Sequence, residues 1–251
     1  MAHPILPGAE PFSASNGQNG VLVLHGFTGT PQSMRPLAEA FADAALSVEL
    51  PLLPGHGTAV DDMIPTRFSD WALAAEAAYE SLAARCDTVA VAGLSMGGTL
   101  GLHLGVRHPE ITGMVLVNPL VEPAAASFIA TMTGLLDAGI DRIAGIGSDI
   151  ARPDAPEAAY AETPVAALLS LFEGVAALEP RLGELSSPIL LLSSREDHVV
   201  PPASGDLLVD RAGAPVERVY LERSYHVATL DYDQGEIEER AVAFVLKVVS
   251  G

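Results

Sequence analysis

The chain has 251 residues, 49% of them hydrophobic, enough for a large core in one α/β unit. Its formal charge of −19, from 32 acidic against 13 basic residues, argues against nucleic acid or an anionic membrane surface as partner. Cys86 is the single cysteine, which excludes an intramolecular disulfide framework and a multi-cysteine metal site.

No run approaches the ~18 consecutive apolar residues of a membrane span. Residues 1 to 7 lack the cationic and apolar regions of a signal peptide, so a cytosolic protein without stable membrane anchoring is expected. Lys247 is the lone lysine, and the acidic bias bears on solubility rather than on chemistry.

Short apolar runs alternate with longer helical patterns along the chain, which predicts a mostly parallel sheet with helices on both faces. Val21 to Leu24 reads as a buried strand leading into His25-Gly26-Phe27-Thr28-Gly29-Thr30-Pro31. A helix is predicted over 32–45 and a strand over 47–50. Pro51 to Gly57 then reads as irregular because of its prolines and glycines. Further on, an alanine-rich helix spans 68–85, a strand 88–92, and a helix runs from the next turn to about Arg107, where His108-Pro109 stops it. Strands follow at 114–117, 189–192 and 216–221, and a last helix at about 234–248. Between 119 and 187 the pattern breaks into small helices with glycines and prolines and no convincing strand. Seventy residues is too long for a simple connection. An inserted cap over the carboxyl edge of the sheet is the economical reading, since ligands bind at that edge. Ordinary packing helices are the alternative.

Gly93-Leu94-Ser95-Met96-Gly97 forms a G-x-S-x-G motif between a strand and a helix. In that setting the glycines permit a sharp turn that presents the Ser95 hydroxyl, and the Met96 N–H points to where an oxyanion would form. A serine hydroxyl needs a base within reach, and the base needs an acid to orient it. Asp197 lies in the turn after the strand at 189–192, and His226 lies after the strand at 216–221, before the last helix. Both stand where a late-strand acid and base are needed. Glu196 and Asp231 are the competing acids. Among the other histidines, His3 falls in a terminus expected to be mobile, His103 and His108 on or after the helix that follows Ser95. His25 and His56 fall in glycine loops, and His198 precedes the final strand. The His25-Gly26-Phe27 loop would supply a second oxyanion donor, the Phe27 N–H. No H-E-x-x-H or comparable ligand spacing points to a metal.

Together these residues make the chain resemble the α/β-hydrolase superfamily over essentially its full length. It is most similar to bacterial monoacylglycerol lipases and the related thermostable carboxylesterases. Shared stretches are Val23 to Pro31, Ser33 to Ala38, Pro54 to Gly57, Gly93 to Leu100, Glu196 to Pro202 and Ser224 to Asp233. The resemblance implies an α/β-hydrolase core at 1–118 and 188–251 and a cap at 119–187. It implies a triad of Ser95, Asp197 and His226, with Phe27 and Met96 as backbone oxyanion donors. It also implies a serine esterase that cleaves monoacylglycerols through an acyl-enzyme, with a broad carboxylesterase on simple esters as the alternative. No cofactor is required, the partner is a small-molecule ester, and the state is monomer or homodimer. Ser95 in place of an aspartate excludes a dehalogenase of this fold, and the complete triad disfavours a non-catalytic receptor. Within the cap, Ile146 to Asp149 and Pro153 to Tyr160 also resemble the lipases. There Phe27 and Ile146 would contact the acyl chain and Glu157 would accept hydrogen bonds from glycerol hydroxyls. Residues 119–142 follow that pattern poorly.

Overall fold

The computed structural model describes residues 3–250. Seven strands form one sheet: β1 (Phe12–Ala14), β2 (Asn19–Leu24), β3 (Ser47–Leu50), β4 (Thr88–Leu94), β5 (Met114–Val117), β8 (Ile189–Ser194) and β9 (Val216–Leu221). Their spatial order is β1-β3-β2-β4-β5-β8-β9. Only the edge pair β1–β3 is antiparallel. This is the doubly covered parallel sheet expected from strands that read as continuous apolar runs.

The period-two alternation of each strand divides the core into two layers. Val21, Val23, Ala90, Ala92, Val115, Val117, Leu190 and Leu192 face the layer closed by α1 (Arg35–Asp43) and α8 (Gln234–Val249). Leu22, Leu24, Val89, Val91, Leu116 and Leu191 face the layer closed by α3 (Phe68–Ala83), α4 (Met96–Gly105) and α6 (Val165–Leu178). Each helix buries one stripe. In α3 it is Trp71, Ala75, Tyr79 and Leu82, and in α8 it is Ile237, Ala241, Val245 and Val249, spaced by three or four residues. Each large apolar side chain so buried contributes about 1.5–3 kcal/mol. The Asp70 carboxylate closes the start of α3 by accepting the Arg67 N–H at 2.8 Å.

Several elements differ from the sequence expectation. The helix expected over 32–45 is a short 3₁₀ turn at Pro31–Met34 followed by α1, which stops before Ala45, held at φ 62°. Three short elements escaped the pattern: β1, α2 (Val60–Met63) and α7 (Pro202–Arg211).

The stretch expected to lack strands holds two, β6 (Arg142–Ala144) and β7 (Glu162–Pro164), paired antiparallel with Ile143 opposite Thr163. Three residues each are too few to establish an alternation. The same stretch contains α5 (Ala126–Asp137) and α6. It is not a uniform cover. Ala167, Leu171, Val175 and Leu178 of α6 join the main core beside Leu82 and Leu104, so this helix is a layer of the sheet's own packing. Among the described residues no helix is long and apolar enough to cross a membrane.

Candidate active site

The parallel strands end together, and β4 runs directly into α4 at Ser95. Ser95 takes φ 54° and ψ −117°, left-handed backbone that a side-chain-bearing residue adopts only under constraint. Its N–H donates to Val117 O at 3.0 Å, while its carbonyl accepts from Thr99 N–H at 3.1 Å. The motif glycines are required by space. A Cβ on Gly93 would lie 2.3 Å from the Gly97 carbonyl, and one on Gly97 would lie 2.1 Å from Leu24 O. The elbow helix therefore packs backbone to backbone against the end of β2, the strand that leads into Phe27.

The Phe27 and Met96 N–H groups donate to no described backbone or side-chain acceptor. Met96 is the first residue of α4, where amides are unpaired by construction and carry the positive end of the helix dipole. One free donor directly follows Ser95 in the chain and the other belongs to a residue of the same pocket, and such donors can receive a developing negative charge.

His25 and His56 lie under the Phe27 loop as packing groups, both fully buried. His25 Nε2 accepts the Leu53 N–H at 3.2 Å and its Nδ1 faces Gly26 O at 3.0 Å, so the Nδ1–H tautomer joins the two loops. Burial lowers the pKa of His25 to about 3 and that of His56 to about 4, so both stay neutral. The His56 ring packs edge-on against Trp71, whose indole N–H donates to Pro54 O at 3.0 Å.

The late-strand residues meet. His226 Nδ1 lies 2.8 Å from Asp197 Oδ2, and the other Asp197 oxygen accepts the Val199 and Val200 N–H groups at 2.9 and 2.8 Å. Asp197 is thereby held as an acceptor on both sides, with the imidazole presenting Nε2 away from it. The His226 ring lines the same pocket as Ser95. No direct Ser95–His226 hydrogen bond is formed in this structure. Such contacts commonly tighten only when substrate binds.

The competing residues have other partners. Asp231 is 1% exposed and its carboxylate accepts four backbone N–H groups, from Ala151, Arg152, Tyr225 and Tyr232. The carboxylate bonded to the His226 ring is that of Asp197, not Glu196. His198 faces Asp149, and His108 pairs with Glu76 and Glu110. His103 packs edge-on against Phe68 on the flank, and His3, expected in a mobile terminus, bonds Asp62 at 3.0 Å. A groove of about 490 Å³ lies between α3, α4 and α6, away from Ser95. Its cations Arg107 and Arg181 are already paired with Glu76 and Glu184.

The pocket over Ser95 is about 110 Å³ and is lined by Phe27, Leu120, Ile146, Glu157, Phe172 and His226 among others. Ile146 stands at its rim, 63% exposed. A second cavity of about 270 Å³ extends past Phe128 toward α7 and shares Leu120, Phe172 and Val199 with the first. Phe128 and Phe172 pack edge to face at 5.4 Å beside that partition.

Glu157 lines the Ser95 pocket as well. Gln32 holds the segment bearing it by donating to Pro156 O at 2.9 Å and accepting the Ala158 N–H at 2.7 Å. Tyr160 anchors the next turn, its N–H donating to Thr28 O and its hydroxyl to Gly55 O. No described residue donates to the Glu157 carboxylate. Burial pushes its pKa up to about 7, against the opposing pull of His226.

Two residues that the sequence reading did not single out also hold the site. Asn118, at φ 44° after β5, donates to the His226 carbonyl at 2.8 Å, and Asp149 accepts the His226 N–H at 3.0 Å. An asparagine immediately after a buried strand was a signal for the first, because that residue type tolerates positive φ, and Asp149 closes the lipase-like stretch Ile146 to Asp149.

The chain as a whole is similar to several known proteins. The family described as serine aminopeptidase, S33, matches residues 16–233. A thermostable monoacylglycerol lipase from Bacillus sp. (strain H-257) is 49% identical over 98% of this chain and 97% of its own length. A carboxylesterase from Bacillus subtilis (strain 168) is 26% identical over 95% and 97%. The solved structure of a metagenome-derived lipolytic enzyme, from work describing LipS and LipT, superposes with a TM-score of 0.93 at 43% identity. It covers 97% of this chain and 100% of that one. The Paleococcus ferrophilus monoacylglycerol lipase, at TM-score 0.78 and 17% identity over 95% of this chain and 99% of that one, shares the fold. The match across most of the length, with Ser95 on its elbow and His226 on Asp197, shows that the chain belongs to the S33 family of serine hydrolases and has the α/β-hydrolase fold.

Proposed function

We propose that the protein hydrolyses carboxylic esters by two-step acyl transfer and that monoacylglycerols are its substrates. In this reading His226 Nε2 takes the Ser95 proton as Oγ attacks the ester carbonyl. Asp197 holds the imidazole and stabilises its charged form. The Phe27 and Met96 N–H groups receive the developing oxyanion, where loss of one such donor typically costs on the order of 10²–10³ in rate. His226 then protonates the leaving alcohol, and water repeats the cycle on the acyl-enzyme.

One observation carries the substrate reading: Glu157 is a carboxylate in the Ser95 pocket with no partner of its own. A carboxylate that accepts no hydrogen bond from the protein is free to pair the hydroxyls of a glycerol leaving group, which a methyl ester does not offer. The named lipase relative agrees with this choice, whereas the peptidase in the family description would place an amine there. A carboxylesterase acting on short simple esters is favoured by one feature, the small volume directly over Ser95.

Rates on 1-monoacylglycerols and on methyl esters of the same acids, across chain lengths, separate the two readings. Glu157→Ala is expected to lower kcat/KM for monoacylglycerol about ten- to a hundredfold, the worth of one or two hydrogen bonds to a charged group. The methyl ester rate is expected to stay within about threefold. An unchanged ratio refutes glycerol recognition by Glu157.

The same carboxyl gives a pH signature. Its folded pKa of about 7 exceeds the usual 4.5, so the native state holds this proton more tightly than the unfolded chain does. Its contribution to stability declines as pH rises from 4.5 to 7, and the full cost, at most ~3 kcal/mol, applies above 7. Glu157→Gln should therefore melt higher than the parent near pH 8, and the two should converge as pH falls toward 4.5. Calorimetry across that range checks it.

Acyl length gives a further handle. Phe172 stands in the wall shared by the two cavities, so Phe172→Ala should join them. The optimum should then move to longer acyl chains in the same ester series. A shift to shorter chains would place the acyl group elsewhere.

A further inference from the structure

The two loops bearing the acid and the base meet on a single atom contributed by a third segment. Asp149 lies between β6 and β7 with its side chain mostly buried. Its Oδ2 accepts the His226 N–H at 3.0 Å and the His198 N–H at 3.1 Å. His198 directly follows Asp197, so one oxygen takes one amide from the base loop and one from the acid turn. Oδ1 faces His198 Nδ1 at 2.8 Å, and the Asp149 carbonyl accepts the Val227 N–H at 3.0 Å.

The grip is returned from the other side. Asp231, in the base loop, accepts the Ala151 and Arg152 N–H groups at 2.7 and 3.0 Å and the Tyr225 N–H at 2.9 Å. Asn118 holds the His226 carbonyl. Both peptide groups of His226 are therefore tied, one to the segment before β7 and one to the end of β5.

Backbone amides of separate loops rarely share a side-chain oxygen by accident of packing alone. A charged acceptor makes such bonds short and directional. The arrangement fixes the separation of the two loops, and that separation sets the His226–Asp197 hydrogen bond.

We propose that Asp149 is a positioning residue of the hydrolytic reaction. It clamps the acid turn to the base loop, so residues 149–152 belong to the catalytic frame and not to any part of the insertion that moves to admit substrate. The proposal rests on the reading of Ser95, Asp197 and His226 as the reacting set.

The test compares Asp149→Ala and Asp149→Asn with the parent on p-nitrophenyl butyrate near pH 8. It also follows the downfield proton resonance of His226 Nδ1–H, identified by its loss in His226→Ala. A displaced imidazole should lower kcat about 10²-fold, the usual effect of misplacement by about an ångström. KM should stay within about threefold, because ground-state binding is not touched. The resonance should broaden in Asp149→Ala. Asp149→Asn keeps an oxygen able to accept both backbone amides, so it should recover most of kcat and the resonance.

A merely structural anchor would lower the melting temperature or raise KM and leave the resonance sharp. That outcome, or kcat within about threefold in Asp149→Ala, overturns the proposal. Should Asp149→Ala not fold, hydrogen exchange on the parent decides. The His226 amide should exchange slowly and together with those of Ala151 and Arg152, and fast exchange at His226 refutes the clamp. Turnover persisting in Ser95→Ala or His226→Ala would instead refute the triad reading itself.

Discussion

Ser95→Ala is expected to abolish turnover of every ester, with kcat lower by on the order of 10⁶. The size follows from what remains. His226 stays on Asp197, and the proposed Phe27 and Met96 donors are untouched, but no oxygen is left to attack the carbonyl. Residual rate would come only from binding and the oxyanion donors acting on water, typically 10³–10⁴ above the uncatalysed reaction. Alanine at position 95 removes one hydroxyl and should leave the fold intact, although φ 54° costs it as much strain as it costs serine. Melting temperature unchanged with activity gone is the expected pair of results. Activity retained at more than about one part in a thousand would mean that another nucleophile operates.

Asp197→Asn should cost on the order of 10⁴ in kcat at neutral pH with little effect on folding. The asparagine oxygen can keep the Val199 and Val200 amides, which hold the turn. Its NH₂ must then face His226 Nδ1, where Asp197 Oδ2 now accepts at 2.8 Å. Two donors cannot share that contact. The imidazole has to accept at Nδ1 and carry its proton on Nε2, the atom that must receive the Ser95 proton. The base is then blocked by its tautomer rather than by displacement. A pH–rate profile separates this from collapse of the site: activity should recover in part at high pH, where hydroxide can replace the base. A flat and inactive profile together with a lowered melting temperature would contradict it.

These two expectations and the Asp149 clamp act on one imidazole by different routes. Asp197 sets its tautomer through Nδ1, while Asp149 and Asn118 set its position through the backbone. The first should therefore exchange the base for hydroxide at high pH, whereas loss of Asp149 should lower kcat with the Nδ1–H tautomer retained.

Much of this was legible in the chain itself. The continuous apolar runs of β2, β4, β5 and β8 and the stripes of α3 and α8 are contiguous patterns, so the doubly covered sheet could be read without coordinates. The elbow was equally legible, since Gly93, Ser95 and Gly97 make one local backbone shape whose necessity appears in contacts of 2.1–2.3 Å that a Cβ would make. Asp197 and His226 could be placed because each lies in the loop after a strand.

The remainder depended on chain segments far apart in sequence. The β6–β7 pair joins residues separated by an irregular stretch, and three residues per strand carry no periodicity. Asp149 meets His226 across 77 positions, and Gln32 meets Ala158 across 126. Neither spacing repeats, so no pattern announces it. The unusual proton affinity of Glu157 and the neutrality of His25 and His56 come from burial, which only the packed chain establishes. The sequence by itself determined the sheet, the elbow and the proposed nucleophile, acid and base, because each is written in neighbouring residues. Only the tertiary structure decided what holds the base in place and which carboxylate stands unpaired over Ser95, because desolvation and hydrogen bonding between distant loops exist only once the chain has closed on itself.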